Sequence, residues 1–412
     1  MLIQFSFGNF LSFKEDFNLS MVASALRESK ELTLGATFPL EETNHDLLKS
    51  AVVYGANASG KSNLIKAIDF FKWFVINSAK DIQAGEKIPG VESFRLNSET
   101  AVEPSFIEAL FADAENQYRY GFECDENGVS QEWLYQRANK RKSKEVELFY
   151  RKGKEYEIHP KFSVGKEIVA KNMIRDNALL LSVAAQFNDP LAVKILQWLA
   201  DTTVIKSTSE GEIWEKALRS VDNPEMHKRI VEFSRYADFG IDDIRKIDGQ
   251  LVSVHNQYDE GGKTVNTVMF PFTGNESEGT IKYFTLAYPI IDALDNGKRL
   301  IIDEFDTKMH PLLTSRIISL FNSKESNPRN AQLIITTHDT NLLNSGLFRR
   351  DQIWFTQKDR MGASSLYSLA EYKVRNTSPF EKDYLMGRYG AVPILGQFER
   401  LFTSNPSDDG KE

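Results

Sequence analysis

Gly55-Ala56-Asn57-Ala58-Ser59-Gly60-Lys61-Ser62 decides how this 412-residue chain is read. It fits G-x-x-x-x-G-K-[ST], a loop whose backbone N–H groups cradle phosphates. Ala51 to Tyr54, just before it, is a short apolar run that reads as a strand. Ser62 to Ile76, just after it, carries Leu64, Ile65, Ile68, Phe71 and Val75 at helical spacing. A strand therefore feeds a glycine turn that opens a helix. Successive N–H groups in such a turn form an anion-binding concavity, and the helix N-terminus adds about half a positive charge. The expected ligands are ATP and Mg²⁺. Gly55, Asn57, Ala58, Ser59, Gly60, Lys61, Ser62 and Asn63 are the candidate nucleotide contacts. Lys61 reaches for the β- and γ-phosphates, and the Ser62 hydroxyl is a candidate metal ligand.

A phosphate loop names a ligand class and no reaction. The reaction is suggested much later, at Leu300-Ile301-Ile302-Asp303-Glu304, an apolar strand ending in two carboxylates. Asp303 is a candidate Mg²⁺ ligand, and Glu304 a candidate acceptor of a proton from attacking water. The next apolar strand, Gln332 to Thr336, runs into Thr337-His338-Asp339. Ser277-Glu278-Gly279-Thr280 precedes an amphipathic helix with Ile281, Phe284, Tyr288 and Ile291 on one side. A small polar turn at a helix N-terminus is a second anion site, so Ser277 and Gly279 join the candidate contacts.

Composition sets the class. Hydrophobic residues are 41% and charged residues 26%, an ordinary globular balance. No apolar run approaches the ~20 residues of a membrane span, and the first residues lack the basic region and apolar core of a secretion signal. Cys124 is the only cysteine, so no intrachain disulfide can form, and a cytoplasmic location is expected. The net charge of −8 argues against a surface coated with basic residues. Locally, Arg137 to Lys154 holds eight basic residues against two acidic ones. That tract reads as a solvated hairpin or as a contact for nucleic acid or an acidic partner, with no aromatic interleaving for base stacking.

The chain in order reads as α/β. Leu2–Phe7 and Phe17–Val22 are expected strands, and Glu28 to Asp46 an expected loop. Residues 105–158 read as successive antiparallel strands, residues 166–247 as helices, and the sequence from 251 on as strands around one helix. The order of P-loop, S-x-G-T helix, Ile301-Ile302-Asp303-Glu304 and Thr336-Thr337-His338-Asp339 resembles the ABC-type ATPase superfamily, whose SMC and RecF members share this head. Gly8-Asn9-Phe10-Leu11-Ser12-Phe13, Glu276 to Thr280, His310-Pro311-Leu312 and Arg388-Tyr389-Gly390-Ala391 look like the OLD- and RloA-like prokaryotic ATPases.

The resemblance implies an ABC-type P-loop ATPase head, a mixed sheet plus an antiparallel β lobe, with an inserted helical subdomain. Its parts would be 1–160 with the P-loop and β lobe, 161–250 as a helical insertion, 251–402 as the rest of the head, and 403–412 as a disordered tail. It implies that His338 contacts the γ-phosphate and that Gln186 is the glutamine that senses the metal. Asp306 to His310 would be the segment that crosses to a partner protomer. It also implies a homodimer or higher even oligomer closed around two ATP molecules, each between the P-loop and Asp303-Glu304 of one protomer and Ser277–Gly279 of the other, and a separate nuclease-like effector in anti-phage defence. A DNA-repair ATPase and a nucleotide-gated scaffold are the alternatives. Direct nucleic-acid binding is left open, and no membrane partner is expected.

Overall fold

The computed structural model describes residues 1–40, 43, 45–237, 240–393 and 396. The tail expected over 403–412 lies outside the described residues. The central sheet has six strands in the order Thr202–Ile205, Arg299–Ile302, Gln332–Thr336, Ser50–Gly55, Ile353–Lys358 and Ser364–Ser368. The first five run parallel and the last returns antiparallel. Their short β-branched and aliphatic runs are buried on both faces, as a parallel layer requires. The candidate motifs follow the carboxyl ends of three of these strands, where open α/β sheets bind ligands.

A second sheet of seven antiparallel strands forms the β lobe. It runs Glu155–Ile158, Val146–Lys152, Val129–Ala138, Asn116–Cys124, Ser105–Ala112, Leu2–Gly8 and Phe17–Ser20. The P-loop helix, Lys61–Asp81, lies between the two sheets. Its Ile65 and Phe71 share one core with Phe5, Ile107 and Phe122 of the lobe and with Val53, Ile301 and Ile334 of the central sheet. This sandwiching explains why Phe70 and Phe74 are buried as well, widening the apolar stripe beyond one face. Phe71 stacks on Phe122 at 5.7 Å between centroids. Cys124 ends its strand fully buried, and burial pushes its thiol pKa far up.

The opposite face of the central sheet carries the helix Glu278–Asn296. Its Tyr283, Leu286 and Ile290 pack with Val52, Tyr54, Leu300 and Ile302, the alternate residues of the same strands. Gly297, at φ 64°, closes this helix in the left-handed conformation, as the Asn296-Gly297 pair predicts. A third sheet, Asp243–Ile247, Gln250–Tyr258 and Thr264–Pro271, precedes it.

Three expectations are corrected. The loop expected over 28–46 contains a helix, Lys30–Ala36, capped by Ser29, and a short strand, Thr37–Pro39, and a second strand, Asp46–Leu48, starts at its last residue. Only Ala36 of that helix is buried, so it leaves almost no hydrophobic period in the sequence. The helical stretch expected over 161–250 is divided by the strand Thr202–Ile205, which pairs with the Asp303 strand, and it ends in a second strand, Asp243–Ile247. The helices Leu180–Gln186 and Pro190–Ala200 before Thr202–Ile205 pack on the P-loop helix, and those after it, Glu210–Ser220 and Pro224–Arg235, pack on Glu278–Asn296. The basic tract at 137–154 is also not one patch. Arg137 and Lys140 to Lys144 lie at one end of the strand Val146–Lys152, and Lys152 and Lys154 at the other, about 20 Å away at 3.4 Å per residue. Arg151 is buried, donating to the Ala178 carbonyl at 2.7 Å and facing Glu132 at 3.6 Å. Among the described residues no helix is long and apolar enough to cross a membrane.

Candidate functional site

The phosphate loop is held open from behind. Gly55 has no room for a side chain, because a Cβ would sit 2.4 Å from both the Ser59 and Thr356 hydroxyls. Those hydroxyls bond each other at 2.6 Å. Gly60 takes φ 120°, and a Cβ there would meet the Ser364 hydroxyl at 2.7 Å. Ala58, at φ 61°, adds a second positive-φ residue, the backbone alternation from which anion nests are built. Asn63 turns away from the loop and donates to the Ser12 hydroxyl at 2.8 Å, which also accepts from Ser364 at 2.7 Å. Asn63 therefore braces the loop. Ser62 stands half-buried as the second residue of the helix.

Lys61 is buried, and its ammonium donates to the Gly55 and Ala56 carbonyls at 2.7 and 3.1 Å. Burial pulls its pKa down to about 8, against the pull of the Asp303, Glu304 and Asp306 carboxylates. A desolvated ammonium beside an N–H nest is suited to a polyanion that restores its charge.

Asp303 and Glu304 are aimed by one buried hydroxyl. Thr336 donates to the Asp303 carboxylate at 2.7 Å and accepts the Glu304 N–H at 2.8 Å. Asp303 is 5% exposed, and its N–H donates to the Ile205 carbonyl at 2.8 Å. Glu304 takes φ 49°, a left-handed conformation uncommon outside glycine. Its carbonyl accepts the Lys282 ammonium at 2.8 Å. A cleft of about 400 Å³ opens beside Asp303, lined by Ile205, Lys206, Trp214, Ile281, Lys282 and Lys308 among others. The His338 N–H donates to both Asp306 oxygens at 3.3 Å. The residue keeps solvent access, yet desolvation and then the charge of Lys61 lower its pKa, while Asp306, Glu304 and Asp303 oppose. Lys61, Asp303, Glu304 and His338 thus share one electrostatic neighbourhood.

Three of the candidate residues stand apart from this group. Ser277 caps the helix Glu278–Asn296 by accepting the Thr280 N–H at 3.1 Å, and is exposed. That helix and the P-loop helix lie on opposite faces of the sheet, so Ser277 and Gly279 do not face their own phosphate loop. Gln186 is misplaced. It is exposed at the end of the helix Leu180–Gln186, whose Ser182 hydroxyl accepts the Ala79 N–H. Ala79 lies about 27 Å of helix beyond Lys61 at 1.5 Å per residue. The segment that lies beside Asp303 is Lys206–Ser207, at the end of the unexpected strand.

The structure is similar to the SMC head domain from Thermotoga maritima, with TM-score 0.41 and 14% identity over 89% of this chain and 98% of that one. Two structures of the recombination mediator protein RecF in the RecFOR pathway, with ATP and with ATPrS, match at TM-score 0.32. Their identities are 13% and 12%, each over 89% of this chain and 97% and 98% of those chains. No curated protein matches the sequence. Residues 50–344, from the P-loop strand to just beyond His338, match the family described as "AAA domain, putative AbiEii toxin, Type IV TA system". That match spans most of the chain and every candidate motif from the P-loop to His338, and the chain belongs to this family of P-loop ATPases.

Proposed function

We propose that the chain hydrolyses ATP as a homodimer, or higher even oligomer, and thereby controls a separate effector protein in anti-phage defence. The observation that carries the dimer is the division of the site. One chain gathers Lys61, Asp303, Glu304 and His338, while the exposed Ser277–Gly279 turn lies on the other face of the sheet. A two-fold pairing lets each turn complete the partner's γ-phosphate cage.

In this reading the loop N–H groups and Lys61 hold the β- and γ-phosphates. Ser62 and Asp303 would hold Mg²⁺, which supplies charge neutralisation between those phosphates. Glu304 accepts the proton of the attacking water, and His338 donates to the γ-phosphate. Closure on ATP and reopening after hydrolysis is the motion an effector would read.

The test is a pull-down of Glu304→Gln from cells of the source organism, with nuclease treatment and mass spectrometry. Glu304→Gln should hold ATP with turnover reduced about 10²-fold or more. A stoichiometric, ATP-dependent protein partner that survives nuclease supports the reading. Recovery of DNA, with proteins lost after nuclease, favours a RecF- or SMC-like repair ATPase instead. One observation favours that second reading, the exposed basic turn formed by Lys140, Arg141, Lys142 and Lys144. Charge reversal there should then abolish DNA-stimulated hydrolysis.

A further inference from the structure

The backbone of Glu304 is held from two directions. Its left-handed φ of 49° costs a non-glycine residue energy and persists only where neighbours enforce it. One neighbour is the Thr336 hydroxyl, which accepts the Glu304 N–H at 2.8 Å. The other is Lys282, whose ammonium donates to the Glu304 carbonyl at 2.8 Å. Thr336 belongs to the strand beside Asp303, a fixed part of the sheet. Lys282 belongs to the helix that begins at the exposed Ser277 turn, a little over one helical turn along.

The same helix start touches the segment after Glu304 twice more. A Cβ on Gly279 would lie 2.5 Å from the Lys308 carbonyl oxygen, so helix and segment are in direct backbone contact. The Glu278 carboxylate lies 3.7 Å from the Lys308 ammonium. Lys308 is itself left-handed, at φ 66°. The Ser277 turn and the segment Asp303–Lys308 are therefore joined at three points within one chain. The exposed ion pair adds little, because surface pairs contribute about 0–1 kcal/mol. The backbone contact at Gly279 and the Lys282 bond, which is 2.8 Å long and made to a strained peptide, are the rigid ones.

We infer that Lys282 is a positioning residue: by holding the Glu304 carbonyl it fixes the direction of the Glu304 carboxylate and ties it to the Ser277 turn. The role of Glu304 in hydrolysis rests on the function proposed above, whereas the tie between Lys282 and the Glu304 backbone does not. A side chain displaced by about 1 Å loses near-attack geometry, at a cost of up to about 10²-fold in rate. The bond runs to a backbone carbonyl, so its loss is expected to act on turnover rather than on nucleotide affinity.

The experiment compares the full-length wild type with Lys282→Met and Lys282→Arg. Methionine keeps the stem that lines the cleft and removes the donor, and arginine restores a donor that can reach the same carbonyl. Amide hydrogen exchange of peptides covering 303–309 is read without nucleotide, and ATP turnover and ATP binding are read in parallel. The expected result for Lys282→Met is exchange in 303–309 faster by about tenfold or more, with the peptides of the seven-stranded sheet unchanged. Its kcat should fall by at least tenfold with the ATP dissociation constant within about twofold of wild type. Lys282→Arg should recover most of both. Unchanged exchange over 303–309 in Lys282→Met overturns the inference, as does wild-type kcat in a wild type that hydrolyses ATP. If the wild type shows no turnover, hydrolysis is refuted, and the exchange data still decide what Lys282 holds.

Discussion

Replacing Thr336 by valine removes one hydroxyl and preserves the shape of the side chain. Thr336 is fully buried, so water cannot take over either of its bonds. The Glu304 N–H, bonded at 2.8 Å, would be left buried without an acceptor, a loss of about 1–3 kcal/mol. The Asp303 carboxylate would lose a donor at 2.7 Å, worth about 1.5–3 kcal/mol because the acceptor is charged. The two losses share an atom and do not simply add, so about 3 kcal/mol is the working figure. At a slope of about 3 kcal/mol per molar, the urea midpoint of the transition that unfolds the central sheet should drop by about 1 M. Turnover should fall by about 10²-fold, because both carboxylates lose their aim. Thr336→Ser keeps the hydroxyl and should lose much less of either. A valine variant that unfolds within 0.3 M of wild type, a bound taken as about 1 kcal/mol, and hydrolyses ATP normally refutes the claim that this hydroxyl organises the site.

Three further outcomes are expected. Lys61 starts from a pKa of about 8, and phosphate raises it, so ATP binding at pH 8.5 should take up protons and weaken as pH rises through 8. Calorimetry in two buffers of different ionisation heat detects this, and proton-neutral binding, or uptake that persists in Lys61→Met, would contradict it. His338 has its pKa lowered from 6.5, so the neutral ring is the form present at pH 7. Its contribution to stability is complete above pH 6.5 and is lost as pH falls through the lowered value, and kcat/KM, which reports the free enzyme, should show no His338 inflection above pH 6.5. An inflection near pH 7.5 that vanishes in His338→Gln would count against this. Gly279→Ala places a methyl 2.5 Å from the Lys308 carbonyl oxygen, which must move, at about 1–3 kcal/mol. In a Glu304→Gln background it should weaken ATP-dependent dimerisation in sedimentation velocity while each chain still binds ATP. Undiminished dimerisation would remove Gly279 from the interface.

The parts of the site that were legible in the sequence are local in the chain. Gly55 to Ser62 and Leu300 to Glu304 each combine strand, turn and functional group within about ten residues, so periodicity and residue type suffice. What was missed acts across long separations. Ser12, Asn63 and Ser364 form one braced corner although 352 residues separate Ser12 from Ser364. Thr336 was visible only as the last residue of an apolar strand, and nothing nearby in the sequence marks its hydroxyl as the bond between Asp303 and Glu304. Thr202–Ile205 is four residues long between helices, too short for a period to declare itself. The basic run at 137–154 shows the converse effect: its charges are adjacent in the sequence, and the strand between its two turns holds them apart.

Cys124 gives the molecule a built-in clock. The only thiol in the chain lies at 0% exposure in the β lobe, with burial holding it in the unreactive protonated form. A thiol reagent can therefore label it only during excursions in which the lobe opens. The labelling rate reports how often that happens, slowing about tenfold for every 1.4 kcal/mol of opening energy. No engineered probe is needed. Because the lobe and the central sheet grip the P-loop helix from either side, a ligand that tightens the phosphate loop should be legible as a slower clock on the far side of that helix.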